Sequence, residues 1–452
     1  MQTNQPDSNS HEDALKRAAQ QALSPWAHLP DGKKWCVALS GGADSTALLH
    51  VLKELAEIKQ AQLCAAIVNH NLRPEAQSEA EQVQQSAQKA GIDAVILTIT
   101  QPVPQAAIQE WARAKRYDAL CRFAREKGCL LVFGHHQDDQ NETIAMRLSH
   151  GSALRGLAAM AEVTIRQGSP IIRPFLHHPK SELYRYCEDN KLTFIEDPSN
   201  QKHQFERVRW RHLLSQDEVL RANINQLGRL AHRLQQQLDK QLSSTLDQLI
   251  IHKGLWAEMA FDVFQSLSPE AQQHMLRTIL TLIGGRDYVP SQTAQKQAVM
   301  RLRAGQTTTL GHVILTLSGD ILQCLPEAGR PAHPQAITAG TDMIFEGRFL
   351  VRTAQGGVIM RLSDDIWGGL EKTHPLRMQL KDMPAAVRRT FPVLRALDEK
   401  VMTTHIKEVT QIGHFTHMDW PTEGVDIYPL GRLARVIDQK IGLSFHAEEL
   451  KG

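Results

Sequence analysis

The chain has 452 residues, 42% hydrophobic and 22% charged, a soluble composition that exceeds one small core and suits two to four domains. Its 51 Lys and Arg against 49 Asp and Glu leave a net charge of +2, which neither calls for nor excludes a nucleic-acid partner. The longest apolar run, Cys129–Phe133, falls far short of the roughly 20 residues of a membrane helix, so no membrane partner is expected. Residues Met1–Glu12 carry acids and no early basic cluster, which fits neither a secretory signal nor a transit peptide. The six cysteines contain no Cys-x-x-Cys pair. That argues against a disulfide framework, a zinc knuckle or a cysteine-held cluster, and for a reducing cytoplasm.

In chain order, Lys34–Leu39 is an apolar run that ends in a Ser-Gly-Gly turn, and Ala43–Ile58 follows with a helical period at Ala47, Leu48, Val51, Leu52 and Leu55. Leu63–Val68 reads as a second strand, Glu75–Ala90 as a polar helix and Ala94–Ile99 as a third strand. Ala106–Glu126 is a long helix, Cys129–Phe133 a fourth strand and Asp138–Leu148 a helix again. Apolar strands alternating with helices predict an α/β fold, a doubly wound parallel sheet covered on both faces. Ligands of such sheets sit beyond the C-terminal strand ends. A first domain over residues 1–200 is expected. Residues 201–330 read as a mainly helical domain with a leucine-rich helical period over Leu220–Leu242 and a short β-like end, Thr308–Leu317. After a linker at Gly329–Pro334, residues 331–452 read as a small α+β domain, with strands at Phe349–Thr353 and Val358–Leu362.

Two polar motifs stand at strand ends. Ser40-Gly41-Gly42-Ala43-Asp44-Ser45 joins the first strand to the first helix. Its glycines let the backbone approach an anion, and the helix N-terminus attracts negative charge. The loop lacks the lysine of γ-phosphoryl-transfer loops, which fits chemistry that releases pyrophosphate. Gly134-His135-His136-Gln137-Asp138-Asp139-Gln140-Asn141-Glu142-Thr143 follows the fourth strand. Asp138 and Glu142, four apart, share a helix face. The cluster suits Mg²⁺ beside a triphosphate, an ammonium group or a general base. Arg113 and Arg116, three apart on a helix, suit phosphate neutralisation or a solvated face. Between Gln201 and Lys240 eight cations face four acids. There Arg207, Arg209 and Arg211 surround Trp210, a pattern that suits RNA contact with a stacking platform or a loop entering a helix.

The Ser-Gly-Gly-Ala-Asp-Ser loop resembles that of the PP-loop ATP pyrophosphatases. The later motifs resemble those of the tRNA(Ile)-lysidine synthetase family within them: Val68–Ala76, Ala112-Arg113 with Arg116-Tyr117, Gly134–Thr143, Gly151-Ser152 with Gly156-Leu157, Arg173-Pro174, and Glu196–Asn200. They cover about the first half of the chain in the family's order. The resemblance implies ATP and Mg²⁺ as cofactors. ATP would activate the wobble cytidine of an isoleucine tRNA with a CAU anticodon, and lysine would displace AMP. It implies that Ser40, Gly41, Gly42, Ala43 and Ser45 cradle the phosphates, that Asp44 helps hold Mg²⁺, and that Asn69–Asn71 line the adenine, with His70 and Arg113 on the nucleotide. Asp44, His135, Asp138, Asp139 and Glu142 become the catalytic group. Asp139, Glu142, Arg116, Arg207 and Arg211 are expected to contact lysine or tRNA. Lys202, Val208 and His150 depart from the family's pattern, and oligomeric state, a dimer included, stays open. A PP-loop tRNA thiolation enzyme and a catalytically silent tRNA-binding protein are the alternatives. The first generally needs a cysteine pair or cluster, and the second would lack one of the two intact motifs.

Overall fold

The computed structural model describes residues 8–27, 33–152, 154–195, 206–246, 248–252, 254–285, 290–329, 333–396, 404–406 and 425–429. The motif Glu196–Asn200, Lys202 and residues 330–332 of the expected linker lie outside them. By compactness the chain divides into two units, residues up to 237 and residues from 238 onward.

The first unit is built on strands β1 (Lys34–Ala38), β2 (Gln62–Asn69), β3 (Asp93–Thr98), β4 (Leu130–Val132), β5 (Val163–Arg166) and β6 (Ser169–Ile172). Their order in one sheet is β3-β2-β1-β4-β6-β5. All pairings are parallel except β5 with β6. The chain winds from β1 outward through β2 to β3, then returns to β4 on the other side of β1. The order therefore reverses between β1 and β4, the place where α/β sheets open a crevice at their C-terminal edge. Both polar motifs fall there.

Helices α1 (Ser8–Leu23), α2 (Ala43–Lys59), α3 (Ala76–Lys89), α4 (Ile108–Lys127), α5 (Gln137–Ser149), α6 (Leu154–Leu157) and α7 (Lys180–Asp189) accompany the sheet. The buried face of α2, from Ala47 and Leu48 through Val51, Leu52 and Leu55, is the one that the helical period picks out. The α1 helix, unassigned from periodicity, buries Leu15, Ala19 and Leu23 and ties to α2 through Lys16 and Glu54 at 2.7 Å.

Helices α8 (Glu206–Gln216) and α9 (Glu218–Leu246) follow. Within the first unit, Leu214 and Ile224 pack with Ile144 and Ala145 of α5 in one apolar cluster, which Trp210, Leu220 and Leu227 flank. Leu230 and Leu234, part of the leucine-rich period, are 47% and 41% exposed. A helix docked against one neighbour buries one stripe, and these two leucines lie off it.

The second unit holds β7 (Ile250–His252), β8 (Trp256–Ala260), β9 (Thr308–Leu310), β10 (Val313–Ser318) and β11 (Ile321–Pro326). They form an antiparallel sheet in the order β7-β8-β11-β10-β9. Helices α10 (Phe261–Ser266), α11 (Pro269–Gly284) and α12 (Gln292–Arg303) cover it, with Met275, Leu276, Ile279, Ile283, Leu315 and Leu322 in the core. The region expected to be mainly helical thus carries a sheet beside its helices. Its strands are three to six residues long, too short for periodicity to separate from loop. A second core gathers Phe345, Phe349, Phe391 and Val393 around two small sheets that include Phe349–Thr353 and Gly357–Arg361.

Candidate active site

The phosphate loop is shaped by its glycines. Gly41 has φ +85°, a left-handed conformation that side chains disfavour. A Cβ there would meet Val83 Cγ2 at 2.5 Å. Gly42 occupies the N-cap of α2 without a side chain to cap the first turn, so those N–H groups remain for an anion. Ser45 is buried, and its Oγ accepts the Ser40 N–H at 3.2 Å, lies 3.1 Å from Ser40 Oγ and donates to Gly42 O at 3.1 Å. The two hydroxyls therefore sit together across the loop.

Gly134 brings the second motif against the first, because a Cβ there would stand 2.8 Å from the Asp44 carbonyl oxygen. His136 then caps α5 in a reciprocal box. Its Nδ1 accepts the Asp139 N–H at 3.3 Å, and its own N–H donates to Asp139 Oδ2 at 3.1 Å. With Nδ1 accepting, the ring proton is on Nε2, which faces Asp139 Oδ2 at 3.4 Å and Asp44 Oδ2 at 3.5 Å. Burial pulls this imidazole down, yet Asp139 and Asp44 outweigh it and hold its pKa above the usual value. His136 thereby joins the phosphate loop to the acidic helix. Asp44 Oδ1 is buried and has no hydrogen-bond partner among the described residues.

The carboxylates face unequal surroundings. Glu142, 2% exposed, accepts Arg207 Nε at 2.6 Å and Arg211 Nε at 2.6 Å, and Arg207 Nη2 also reaches Asp139 Oδ1 at 2.9 Å. Burial opposes ionisation of Asp139, but His136 and Arg207 hold its carboxyl well below the usual carboxylate range. Asp138 Oδ2 accepts the Lys180 N–H at 3.1 Å and makes no ion pair with Arg or Lys among the described residues. It lines a cavity of about 170 Å³ with Asn141, Glu142, Lys180, Arg211 and Arg221.

A third group stands beside the acidic helix. Tyr117 stacks on Phe133 and Phe133 on His135, each with centroids 5.5 Å apart. Arg116 lies over Phe133 at 5.5 Å and Arg113 over Tyr117 at 5.3 Å. Burial, then repulsion from Arg116, lowers the pKa of His70. Burial likewise takes His135 well below its usual value, against the pull of Asp139. The Nδ1 atoms of both histidines are buried without a partner among the described residues, so both rings stay neutral at neutral pH with an open acceptor or donor. Asn69 fixes the turn that presents His70, through Gln77 at 2.7 Å and the Asn71 N–H at 2.8 Å. Asn71 takes φ +52° there.

A PP-loop domain model matches residues 11–218. A tRNA(Ile)-lysidine synthase of Methylobacterium nodulans is 35% identical, over 66% of this chain and 91% of that protein. The chain belongs to the tRNA(Ile)-lysidine synthase family. Its relatives include enzymes of the same name from Novosphingobium aromaticivorans, 33% identical over 67% of this chain and 91% of that one, and from Orientia tsutsugamushi, 26% identical over 83% and 90%.

The sheet edge of this family member brings together Ser40–Ser45, His135, Asp138, Asp139, Glu142, Arg207 and Arg211, with Arg116 near Asp139 and His70 through their charges. Trp210, read as a stacking platform or as part of a loop entering a helix, lies on α8 and packs against the apolar cluster of α5 and α9. Two contributors escaped notice in the sequence: Phe133 carries the ring stack, and the Lys180 N–H anchors Asp138. Gly134 opens the second motif, directly after an apolar strand, and its close approach to Asp44 is what the structure adds.

Proposed function

We propose that this site performs ATP-dependent ligation of lysine to the wobble cytidine of an isoleucine tRNA with a CAU anticodon, giving lysidine, AMP and pyrophosphate. The family membership supports tRNA(Ile) lysidine formation, and the PP-loop domain supports the use of ATP. The observation that carries the residue assignment is the cation held jointly by Asp139 and Glu142, here the Arg207 guanidinium. A pair of carboxylates that holds one organic cation is suited to the lysine ammonium, with Arg207 as its competitor.

The Ser40 and Ser45 hydroxyls and the first turn of α2 bind the phosphates of ATP, while His70, Arg113 and Arg116 contact the nucleotide and the developing charge. The unpartnered Asp44 Oδ1 fits a Mg²⁺ ligand, and the ion, when bound, would neutralise phosphate charge. The cytosine oxygen attacks the α-phosphorus and pyrophosphate leaves. The lysine ε-nitrogen then attacks the ring carbon, the bond to AMP breaks, and the amine loses a proton. A free lysine amine, pKa near about 10.4, must reach its neutral form first. Asp139, held ionised, binds a cation well and takes a proton poorly. Asp138, without an ion pair among the described residues, suits the proton acceptor. Residues 201–330 and 331–452 are assigned to tRNA contact.

The test is incubation with ATP, labelled lysine and tRNA transcripts. Lysine incorporation restricted to the CAU isoleucine tRNA is expected, and Asp139→Asn should lower it by on the order of 100-fold or more. ATP-dependent thiolation in place of lysine incorporation would overturn the activity, and a wild-type rate in Asp139→Asn would overturn the residue assignment.

A further inference from the structure

Three cysteines far apart in sequence meet inside the first unit. Cys36 of β1 stands directly opposite Cys64 of β2 in the parallel register. On the other side of β1, Cys36 stands opposite Leu131, and Cys129 lies two residues before it. Alternation along a strand puts residues two apart on one face, so all three thiols share a face of the sheet. They lie under Leu120, Phe123 and Ala124 of α4. Their Sγ atoms are all within 4.8 Å of one another, with Cys36 and Cys129 buried and Cys64 half-buried.

We propose that Cys36, Cys64 and Cys129 form a binding site for a divalent thiophilic cation of the zinc class, separate from the phosphate loop. The donor set is sulfur alone, which selects soft cations over Mg²⁺ or Ca²⁺. Zinc–sulfur bonds of about 2.3 Å in tetrahedral geometry set sulfurs about 3.8 Å apart, inside the 4.8 Å within which the three Sγ atoms lie. Charge also fits a divalent ion, since three thiolates and a dication leave one negative charge, and Lys127 at the end of α4 supplies a positive one whose field reaches Cys64. Metal binds thiolate, so uptake of the ion releases protons from the cluster. The partial exposure of Cys64 provides an entry and leaves a fourth position open to water.

Ser40 lies four positions beyond Cys36, roughly 13 Å of extended chain, so the metal would brace the base of the sheet and take no part in the ATP chemistry. The other three cysteines, Cys121, Cys187 and Cys324, carry pKa values raised to about 12 or higher, chiefly by burial, and stand outside the cluster.

The test uses the full-length chain, reduced and metal-free, with Cd²⁺ as probe. A thiolate-to-cadmium charge-transfer band should rise to saturation at one Cd²⁺ per chain, Zn²⁺ should displace it, and Cd²⁺ should raise the melting temperature. Cys64→Ser, the least buried position, should lose both the band and the thermal shift, whereas Cys324→Ala should keep them. Absence of the band in the wild-type chain, or an unchanged band in Cys64→Ser, overturns the site. A disulfide among the three thiols in protein isolated without reductant, with no cadmium uptake after reduction, overturns it equally.

Discussion

Gly134 is the residue on which the two motifs depend. A methyl group there would face the Asp44 carbonyl oxygen at 2.8 Å, its carbon at 3.0 Å and the Ser45 nitrogen at 3.2 Å, all backbone atoms of the first turn of α2. Backbone in a packed helix yields far less than a side-chain tip, so the methyl must push α2 and α5 apart. Gly134→Ala should cost about 1–3 kcal/mol. Because Asp44 belongs to the displaced turn, KM for ATP should rise as well. Gly368→Ala is the control: it sits in a helix with nothing within 4 Å of the added atom, and helical alanine is favoured over glycine by about 0.5–1 kcal/mol. Melting temperatures and ATP kinetics of the two variants decide the matter. Equal tolerance of both would remove the close approach as a constraint.

At the scale of elements, the acidic start of α5 and the basic start of α8 make one electrostatic unit. Glu142 holds Arg207 and Arg211, four apart on α8, while Asp139 holds Arg207 again. The depressed carboxyl of Asp139 contributes stability above its unfolded value of about 3.9, and this is lost as pH falls through the lower folded value. His70 and His135 act at higher pH. Unfolded imidazoles take protons near about pH 6.5, the buried rings resist, and stability falls as pH drops below that value. His136, raised, works in the opposite sense: its contribution is full below about 6.5 and is lost as pH rises through its folded value. Below about pH 6.5 the His136 contribution is constant, so His70 and His135 set the slope there, each worth up to about 1.4 kcal/mol per pH unit. The urea midpoint should therefore decline from pH 7 to pH 5 and again below about pH 4. The first decline should shrink in His135→Asn, and a flat midpoint between pH 7 and pH 5 would count against the buried neutral histidines. The parallel α/β sheet and both motifs were legible in the alternation of apolar runs and in Gly-rich and acidic turns at strand ends, whereas the order of the strands comes from their pairing. The docking of α8 on α5 was not, because a run of arginines looks the same whether it meets RNA phosphates or the chain's own carboxylates.

At the scale of the whole molecule, the same limit appears in the cysteines. Positions 36, 64 and 129 have no motif spacing, and only the strand register makes them neighbours. Periodicity reports what lies along one element, while register and packing are decided between elements. Thr308–Leu317, read as a β-like end, holds β9 and most of β10, but β7, β8 and β11 escaped notice for the same reason, since they are stabilised by their neighbours and by α11 rather than by any run of their own. Each unit has its own apolar core, with Cys36, Leu120, Leu131 and Phe133 in the first and Met275, Ile279, Leu315 and Leu322 in the second. The phosphate loop belongs wholly to the first. ATP at about 100 times its dissociation constant stabilises the state that binds it by about 2.7 kcal/mol. Calorimetry of the full chain should resolve two transitions, and ATP should raise the temperature of one while leaving the other in place. Gly134→Ala should lower that same transition, which assigns it to residues up to 237. A single transition that ATP moves as a whole would show the two cores unfolding as one cooperative body, and would end the description of them as separate thermodynamic units.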